Sequence, residues 1–249
     1  MRLIGHRGAR GEAPENTLSG FRYLRQLGVR AVELDIQVSA DGELVIIHDN
    51  SLERTTLAYG EVRLTHSSDL ARINATRKSF PDWPEIEGIP TLREVMAVLH
   101  DFEHIQFEVK AATEADCQTV AAKFPALWRE FGFGERAFTT SFNPRYLHLA
   151  RDAAPEIPRS FLFEQDFAGN PVEAAQALGC LALGPHQARC GQSLLQAAHE
   201  AGLQVATWTV NEVARMHELA RLGIDGLITD VPSRALREAG ELFTQPKPD

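Results

Sequence analysis

The chain has 249 residues, 44% of them hydrophobic and 24% charged, with 34 acidic against 25 basic side chains and a net charge of −9. That length suits one large barrel domain of about 250 residues, and the acidic balance argues against nonspecific nucleic-acid binding. No apolar run is long enough to span a membrane, and Met1-Arg2-Leu3 leads straight into a strand with no secretory leader, so a cytoplasmic protein with no membrane partner is expected.

The first strand is Leu3-Ile4-Gly5-His6, which opens into His6-Arg7-Gly8. Asn16 or Thr17 is placed to cap a helix carrying Phe21, Leu24 and Leu27 on one stripe, and Gly28 ends it. In the stretch from Val32 to Asp49, apolar Val32, Leu34, Ile36 and Val38 alternate with Glu33, Asp35 and Gln37, the period of a strand with one apolar face. The other face then carries two carboxylates on the same side. Asp41-Gly42 is a strong hairpin signal, and Leu44 to Ile47 return as a second strand. A two-residue turn there pairs Ala40 with Glu43 and His48 with Asp35, bringing an imidazole beside both acids at about 5 Å. A one-residue slip would put His48 on the wrong face. The alternative is an ordinary surface hairpin with a polar face.

Residues 50–90 have weak periodicity and dense turn residues, among them Tyr59-Gly60, Pro81, Trp83, Pro84 and Pro90. They read as an inserted subdomain of short helices and loops, either a lid or specificity wall or a structural cover over the barrel mouth. Alternation then resumes. Thr91 caps a helix to about Leu99, and strands at Ile105–Val109, Ala137–Ser141, Ser160–Phe163, Leu181–Gly184, Val205–Thr209 and Leu227–Thr229 alternate with helices at 114–131, from Asn143-Pro144, 171–178, 191–201, 211–222 and 233–242. With the hairpin's second strand set aside, eight strands remain. That count and the strand–helix order predict a (β/α)₈ TIM barrel over 1–249 with 50–90 inserted after the second strand's hairpin. An open doubly wound sheet is the alternative, but the chain lacks a Gly-rich dinucleotide fingerprint. Cys117, Cys180 and Cys190 are odd in number and lack metal-ligand spacing, so they read as reduced or incidental thiols.

Active sites of such barrels lie at the C-terminal strand ends. Those ends carry His6-Arg7, then Glu33 and Asp35 with His48 beside them, Glu108 and Lys110 two residues apart, Ser141-Phe142-Asn143, Trp208-Thr209-Val210-Asn211, and Asp230. Glu33, Asp35 and Glu108 would repel one another in a shared pocket, so one is protonated, Arg7 and Lys110 neutralise them, or a hard cation sits there. Oxygen-only ligands suit Ca²⁺, Mg²⁺ or Mn²⁺ rather than zinc. His6 and His48 suit general acid–base chemistry. Arg7 and Lys110 supply the fixed positive charge that a phosphate requires, and Trp208 offers a flat apolar wall or a core tryptophan. The remaining seven histidines fall on inserts or helices.

These residues, in this order, resemble the glycerophosphodiester phosphodiesterase family, and in particular its bacterial cytoplasmic branch. The motifs are His6-Arg7-Gly8 with Pro14-Glu15-Asn16-Thr17, Glu33-Leu34-Asp35, His48-Asp49 with Arg54-Thr55-Thr56, Glu108-Val109-Lys110, Ser141-Phe142, Trp208-Thr209-Val210-Asn211, and Asp225-Gly226 with Thr229-Asp230. The resemblance implies a barrel with an insertion after the second strand and a divalent metal, Ca²⁺ or Mg²⁺, at Glu33, Asp35 and Glu108. It implies an acid–base pair at His6 and His48, and hydrolysis of a small glycerophosphodiester to sn-glycerol 3-phosphate and an alcohol such as choline or ethanolamine. Water or the glycerol 2-hydroxyl would be the nucleophile. A lysophospholipase D-like enzyme, a phosphoinositide-cleaving phospholipase C and a non-catalytic binding barrel are the other readings. No sequence feature specifies an oligomer.

Overall fold

The computed structural model describes residues 1–243; the C-terminal end of the expected 1–249 domain, residues 244–249, lies outside them. The strands are β1 (Arg2–His6), β2 (Ala31–Val38), β3 (Leu44–Ile46), β4 (His104–Val109), β5 (Ala137–Ser141), β6 (Arg159–Phe163), β7 (Ala182–Pro185), β8 (Gln204–Thr207) and β9 (Gly226–Thr229). All neighbours are parallel except β2 and β3, and the β1–β2 pairing closes the sheet on itself. The result is the expected (β/α)₈ barrel of eight parallel strands, with β3 added outside the ring as the hairpin arm of β2. Among the described residues, no helix is long and apolar enough to cross a membrane.

Alternation along each strand divides the core in two. Leu34, Ile36, Val38, Phe107 and Val109 face outward, into the shell of helices α1 (Leu18–Gln26), α3 (Leu92–Val98) and α4 (Glu114–Phe131). Phe107 meets Phe124 of α4 edge to face at 5.2 Å, a favoured geometry for aromatic pairs. The intervening side chains fill the barrel. Ile4, Ala31 and Ile228 pack its interior, while polar residues gather towards the C-terminal mouth. Helices α5 (Pro144–Ala153), α6 (Pro171–Ala177), α7 (Gln192–Glu200), α8 (Val213–Arg221) and α9 (Pro232–Ala239) complete the ring. The expected caps are present: Thr17 accepts from Gly20 N at 3.0 Å, and Thr91 with Glu94 forms a capping box. Asn16 does not cap. Its side chain is turned to Asp35.

The hairpin register differs by one residue from the expected one. Val38 pairs with Leu44 and Ile36 with Ile46, so the loop has three residues, Ala40-Asp41-Gly42, rather than two. A type I′ turn needs positive φ at both central residues, but only Gly42 has it, at +75°. The Asp41 carboxylate instead accepts from Ser39 Oγ at 2.7 Å and from Ser67 N and Oγ at 2.9 and 2.7 Å. Those bonds tie the turn to α2 (Ser67–Leu70) in the insertion. His48 nevertheless reaches the barrel mouth, because regular pairing stops at Ile46 and the chain bends away before His48. Gln37 Nε2 donates to the His48 carbonyl at 3.0 Å, pinning that bend.

The insertion has a small core of its own, in which Val45, Ile47, Leu52, Val62, Leu70 and Ile89 pack together. It returns along the free edge of β3, where Ile46 N donates to Pro90 O at 2.9 Å. It is also fastened to the start of α1, where Trp83 Nε1 donates to Ser19 Oγ at 2.9 Å.

Candidate active site

The C-terminal mouth of the barrel holds a cavity of about 200 Å³ lined by His6, Arg7, Glu33, His48, Glu108, Lys110 and Trp208. Asp35, fully buried beneath them, completes the set of residues singled out from the sequence. One carboxylate oxygen from each of Glu33, Asp35 and Glu108 lies within 4.8 Å of the others. The spacing of two on β2 puts the first two on one face, and the β2–β4 register sets Glu108 opposite Asp35.

Three buried acids in this space repel one another, and two cations offset part of that. Arg7 Nε approaches Asp35 Oδ2 at 3.2 Å, and Lys110 pairs with Glu108 and lies 3.6 Å from Asp35 Oδ1. The titration of the cluster follows. Burial raises Asp35, but Arg7, Lys110 and the Asn16 amide at 2.8 Å outweigh it and bring it down to about 2. Burial and the neighbouring carboxylates push Glu33 well above the usual range. Burial, with Asp35, pushes Glu108 up to about 7 despite Lys110. When all three acids are ionised they exceed the two cations by one negative charge. Glu33 Oε1 and Asp35 Oδ1 are buried without a hydrogen bond, and Glu108 Oε1 meets the Lys110 ammonium. Buried polar atoms are normally satisfied. An all-oxygen pocket that gathers three acids and leaves two such atoms fits a hard divalent cation. The ion pairs expected from the sequence are present, and the same three acids lie close enough together to hold a cation.

Each candidate histidine is held by a carboxylate. His6 Nδ1 lies 2.6 Å from Asp230 Oδ1, and His48 Nδ1 lies 2.5 Å from Asp49 Oδ1. An ionised carboxylate can only accept, so each Nδ1 carries the proton and each Nε2 is left with its lone pair. His6 Nε2 is 3.9 Å from Glu33 Oε2, at the edge of the acid cluster. Burial lowers both imidazoles below their ordinary value, though the carboxylates oppose it.

The orienting residues were not singled out from the sequence as site residues. Asp230 is fixed by Asn211 Nδ2 at 2.8 Å, while Asn211 Oδ1 accepts from Asp230 N at 2.9 Å and Thr229 Oγ1 at 3.1 Å. Asp49 is gripped by Arg54 Nε and Nη2 at 2.6 and 3.1 Å. The same guanidinium reaches both oxygens of Glu15 at 2.7 Å, and Glu15 accepts from Arg7 Nη1 at 2.9 Å. Arg54 thus joins the insertion to both His48 and Arg7. Arg7 and Asn16 hold positive φ, +51° and +57°, conformations uncommon outside glycine. For Arg7 the twist points its backbone N–H at Glu33 Oε2, 3.1 Å away, while its side chain turns to Asp35. The signals available were positional: Asp49 follows His48, and Asp230 ends the last strand. Arg54 stood in the motif that follows His48-Asp49, but its partners Asp49 and Glu15 come together only in the folded insertion.

Paired acid-held imidazoles facing an anionic, cation-ready pocket at the C-terminal mouth of a (β/α)₈ barrel define a hydrolytic enzyme of the kind that opens phosphoric esters. The family comparison agrees: the model of the glycerophosphoryl diester phosphodiesterase family matches residues 6–234, and the chain belongs to that family. A glycerophosphodiester phosphodiesterase of Caldanaerobacter subterraneus subsp. tengcongensis is 30% identical over 231 residues, 92% of this chain and 94% of that one. Among solved structures, an Oleispira antarctica phosphodiesterase in complex with the product sn-glycerol-3-phosphate superposes with a TM-score of 0.89 at 28% identity, covering 96% of this chain and 97% of that one. A putative glycerophosphoryl diester phosphodiesterase of Silicibacter pomeroyi gives 0.88 at 27% identity, covering 99% and 95%.

Proposed function

We propose that this enzyme hydrolyses small glycerophosphodiesters, such as glycerophosphocholine and glycerophosphoethanolamine, to sn-glycerol 3-phosphate and the free alcohol. One observation carries the reading. Two imidazoles with carboxylate-held Nδ1 atoms line a single cavity together with Arg7 and Lys110, at the edge of a cluster of three buried acids. The product-bound Oleispira antarctica structure supports the same substrate class.

His6 and His48 act as the acid–base pair. One Nε2 takes the proton of the attacking hydroxyl, and the other, protonated, gives its proton to the departing alkoxide. Asp230 and Asp49 stabilise whichever imidazole is cationic. Arg7 and Lys110 hold the phosphodiester and meet the charge that grows on its non-bridging oxygens. Trp208 forms an apolar wall beside the leaving alcohol. Glu33, Asp35 and Glu108 would hold a Ca²⁺ or Mg²⁺ ion, which supplies Lewis-acid polarisation when bound. The buried, unpaired thiols of Cys117, Cys180 and Cys190 suit a reducing cytoplasm.

Among the described residues, none that lines the cavity comes from the 50–90 insertion. A lysophospholipase D-like activity, which would need a groove for an acyl chain there, lacks that support.

The test combines activity with stability. Chelator should abolish release of sn-glycerol 3-phosphate, and Ca²⁺ or Mg²⁺ should restore it. The same ions should raise the melting temperature, since a ligand at a hundred times its Kd stabilises the native state by about 2.7 kcal/mol, roughly 5–10 °C for a chain of this size. Full activity after chelation, with no thermal shift on adding either ion, would remove the metal from the proposal. His6→Ala and His48→Ala should each lower kcat by about 10²–10⁴-fold.

A further inference from the structure

The mouth of the barrel is divided by charge. The strands β9, β1, β2 and β4 and the residues that end them carry Asp230, His6, Glu33, Asp35, Glu108 and Lys110, all engaged in ion pairs or hydrogen bonds. The opposite arc, from β5 to β8, carries Phe142, Leu162, Glu164 and Trp208. On β6, Phe161 and Phe163 pack outward, so Leu162 and Glu164 share the inward face, and Glu164 sits one step higher at the rim. Among the described residues, the Glu164 carboxylate has no hydrogen bond and no ion pair. It is the one acid among the described residues lining the cavity with neither.

Its backbone is held. Arg189 Nη1 donates to the Gln165 and Phe167 carbonyls at 2.9 and 3.2 Å, so this neighbouring cation is engaged by the loop and does not neutralise Glu164. In the same arc, the rings of Phe142 and Trp208 meet edge to face, centroids 5.4 Å apart. The Trp208 indole N–H is fixed on Gly184 O at 2.9 Å. A substrate whose phosphodiester lies against Arg7 and Lys110 has only this arc left for its alcohol. Lys110 Nζ already lies over the Phe142 ring, 5.5 Å from its centroid, so the groups of this arc open to a ligand cation are the Trp208 ring and the Glu164 carboxylate, which both attract an ammonium group and gain little from a neutral hydroxyl.

Resting on the glycerophosphodiesterase reading, we infer that Glu164, with Trp208 braced by Phe142, forms a head-group subsite that selects glycerophosphodiesters whose alcohol is an ammonium cation over those with a neutral alcohol. Glu164 acts on specificity and takes no part in proton transfer.

The experiment measures kcat/KM for glycerophosphocholine, glycerophosphoethanolamine and glycerophosphoglycerol with wild-type enzyme, Glu164→Gln and Glu164→Lys, at low and high salt. The read-out is the ratio of each cationic substrate to the glycerol one. An exposed ion pair is worth up to about a fivefold preference, so Glu164→Gln should lower both ratios about twofold to fivefold. Glu164→Lys should lower them further, and raised salt should shrink the wild-type preference. Because Glu164 is exposed, both variants should keep the wild-type melting temperature. Hydrolysis of all three substrates with ratios unchanged in both variants overturns the inference alone. Failure of the wild-type enzyme to hydrolyse any of them overturns the functional reading and the inference with it.

Discussion

Replacing Asp230 by asparagine tests the histidine assignment without altering shape. In the wild type, Asp230 Oδ1 accepts from His6 Nδ1 at 2.6 Å and Oδ2 accepts from Asn211 Nδ2 at 2.8 Å. An amide has only one oxygen, so the Asp230→Asn variant must choose. Asn211 cannot turn over to accommodate it, because its own oxygen accepts from the backbone N–H of residue 230 and from Thr229 Oγ1. The oxygen of the introduced amide therefore stays on Asn211, and its NH₂ faces His6 Nδ1. Placing that oxygen on His6 instead would set two NH₂ groups against each other or break two of the Asn211 bonds. At about 1–2 kcal/mol for each buried group left unmet, that costs about 2–4 kcal/mol. His6 instead adopts the other tautomer, proton on Nε2 and lone pair on Nδ1. A base then lacks its lone pair, and an acid lacks the carboxylate that favours its cation. At 1.36 kcal/mol per tenfold, kcat should fall about 30- to 1000-fold with KM little changed. The assay is release of sn-glycerol 3-phosphate at saturating metal, with imidazole nitrogen NMR to read the His6 tautomer. A kcat within threefold of wild type, or a His6 that keeps its proton on Nδ1, would refute this account of the dyad.

Three further outcomes are expected. Lys110→Ala should lower kcat/KM by a similar factor for choline, ethanolamine and glycerol head groups, because Lys110 lies beside Asp35 and Glu108 on the phosphate side; a loss confined to one head group would move it to the specificity pocket. Arg54→Met should lower kcat about tenfold to a hundredfold through loss of the grip on Asp49 and Glu15, and it should shift the acidic limb of the pH–rate profile, whereas a change in melting temperature alone would reduce Arg54 to a structural tie. His104, which lies on β4 inside the barrel and not on an insert or helix as expected, is pushed down from 6.5 to about 3 by burial, with Arg2 adding to the shift. Its unfolded form binds a proton more readily than the folded one. Stability is therefore complete above about pH 6.5 and declines as pH falls towards 3, at up to about 1.36 kcal/mol per unit. Denaturant melts of His104→Gln should lose less stability over that range than wild type, and parallel slopes would exclude the histidine as the cause.

Periodicity carried most of the architecture. Alternation in Val32–Val38 placed two acids on one face, and the parallel strands brought Glu108 opposite them, so the acid cluster was legible before any fold was known. The hairpin register was not, because Asp41 is bonded to Ser39 and to a helix of the insertion, and those partners lie in side chains a turn rule does not weigh. His48 reached the site by a bend and not by its place in the ladder. Arg54 and Glu15 meet only after the insertion docks, at a separation of 39 residues, which local patterns do not record. Glu164 was legible in principle: it continues the inward series of β6, two residues beyond Leu162.

The chain's order mirrors the division of the mouth. All the groups proposed to break the bond, apart from Asp230 at the last strand, come from the stretch between His6 and Lys110, whereas the wall facing the departing alcohol is built from β5 to β8, between 137 and 208. Mutation in the later stretch can therefore retune which alcohol is accepted without disturbing the reaction. Relatives of this chain should diverge in head-group choice by drift in one contiguous segment, and a chimaera exchanging that segment should carry its donor's preference with it.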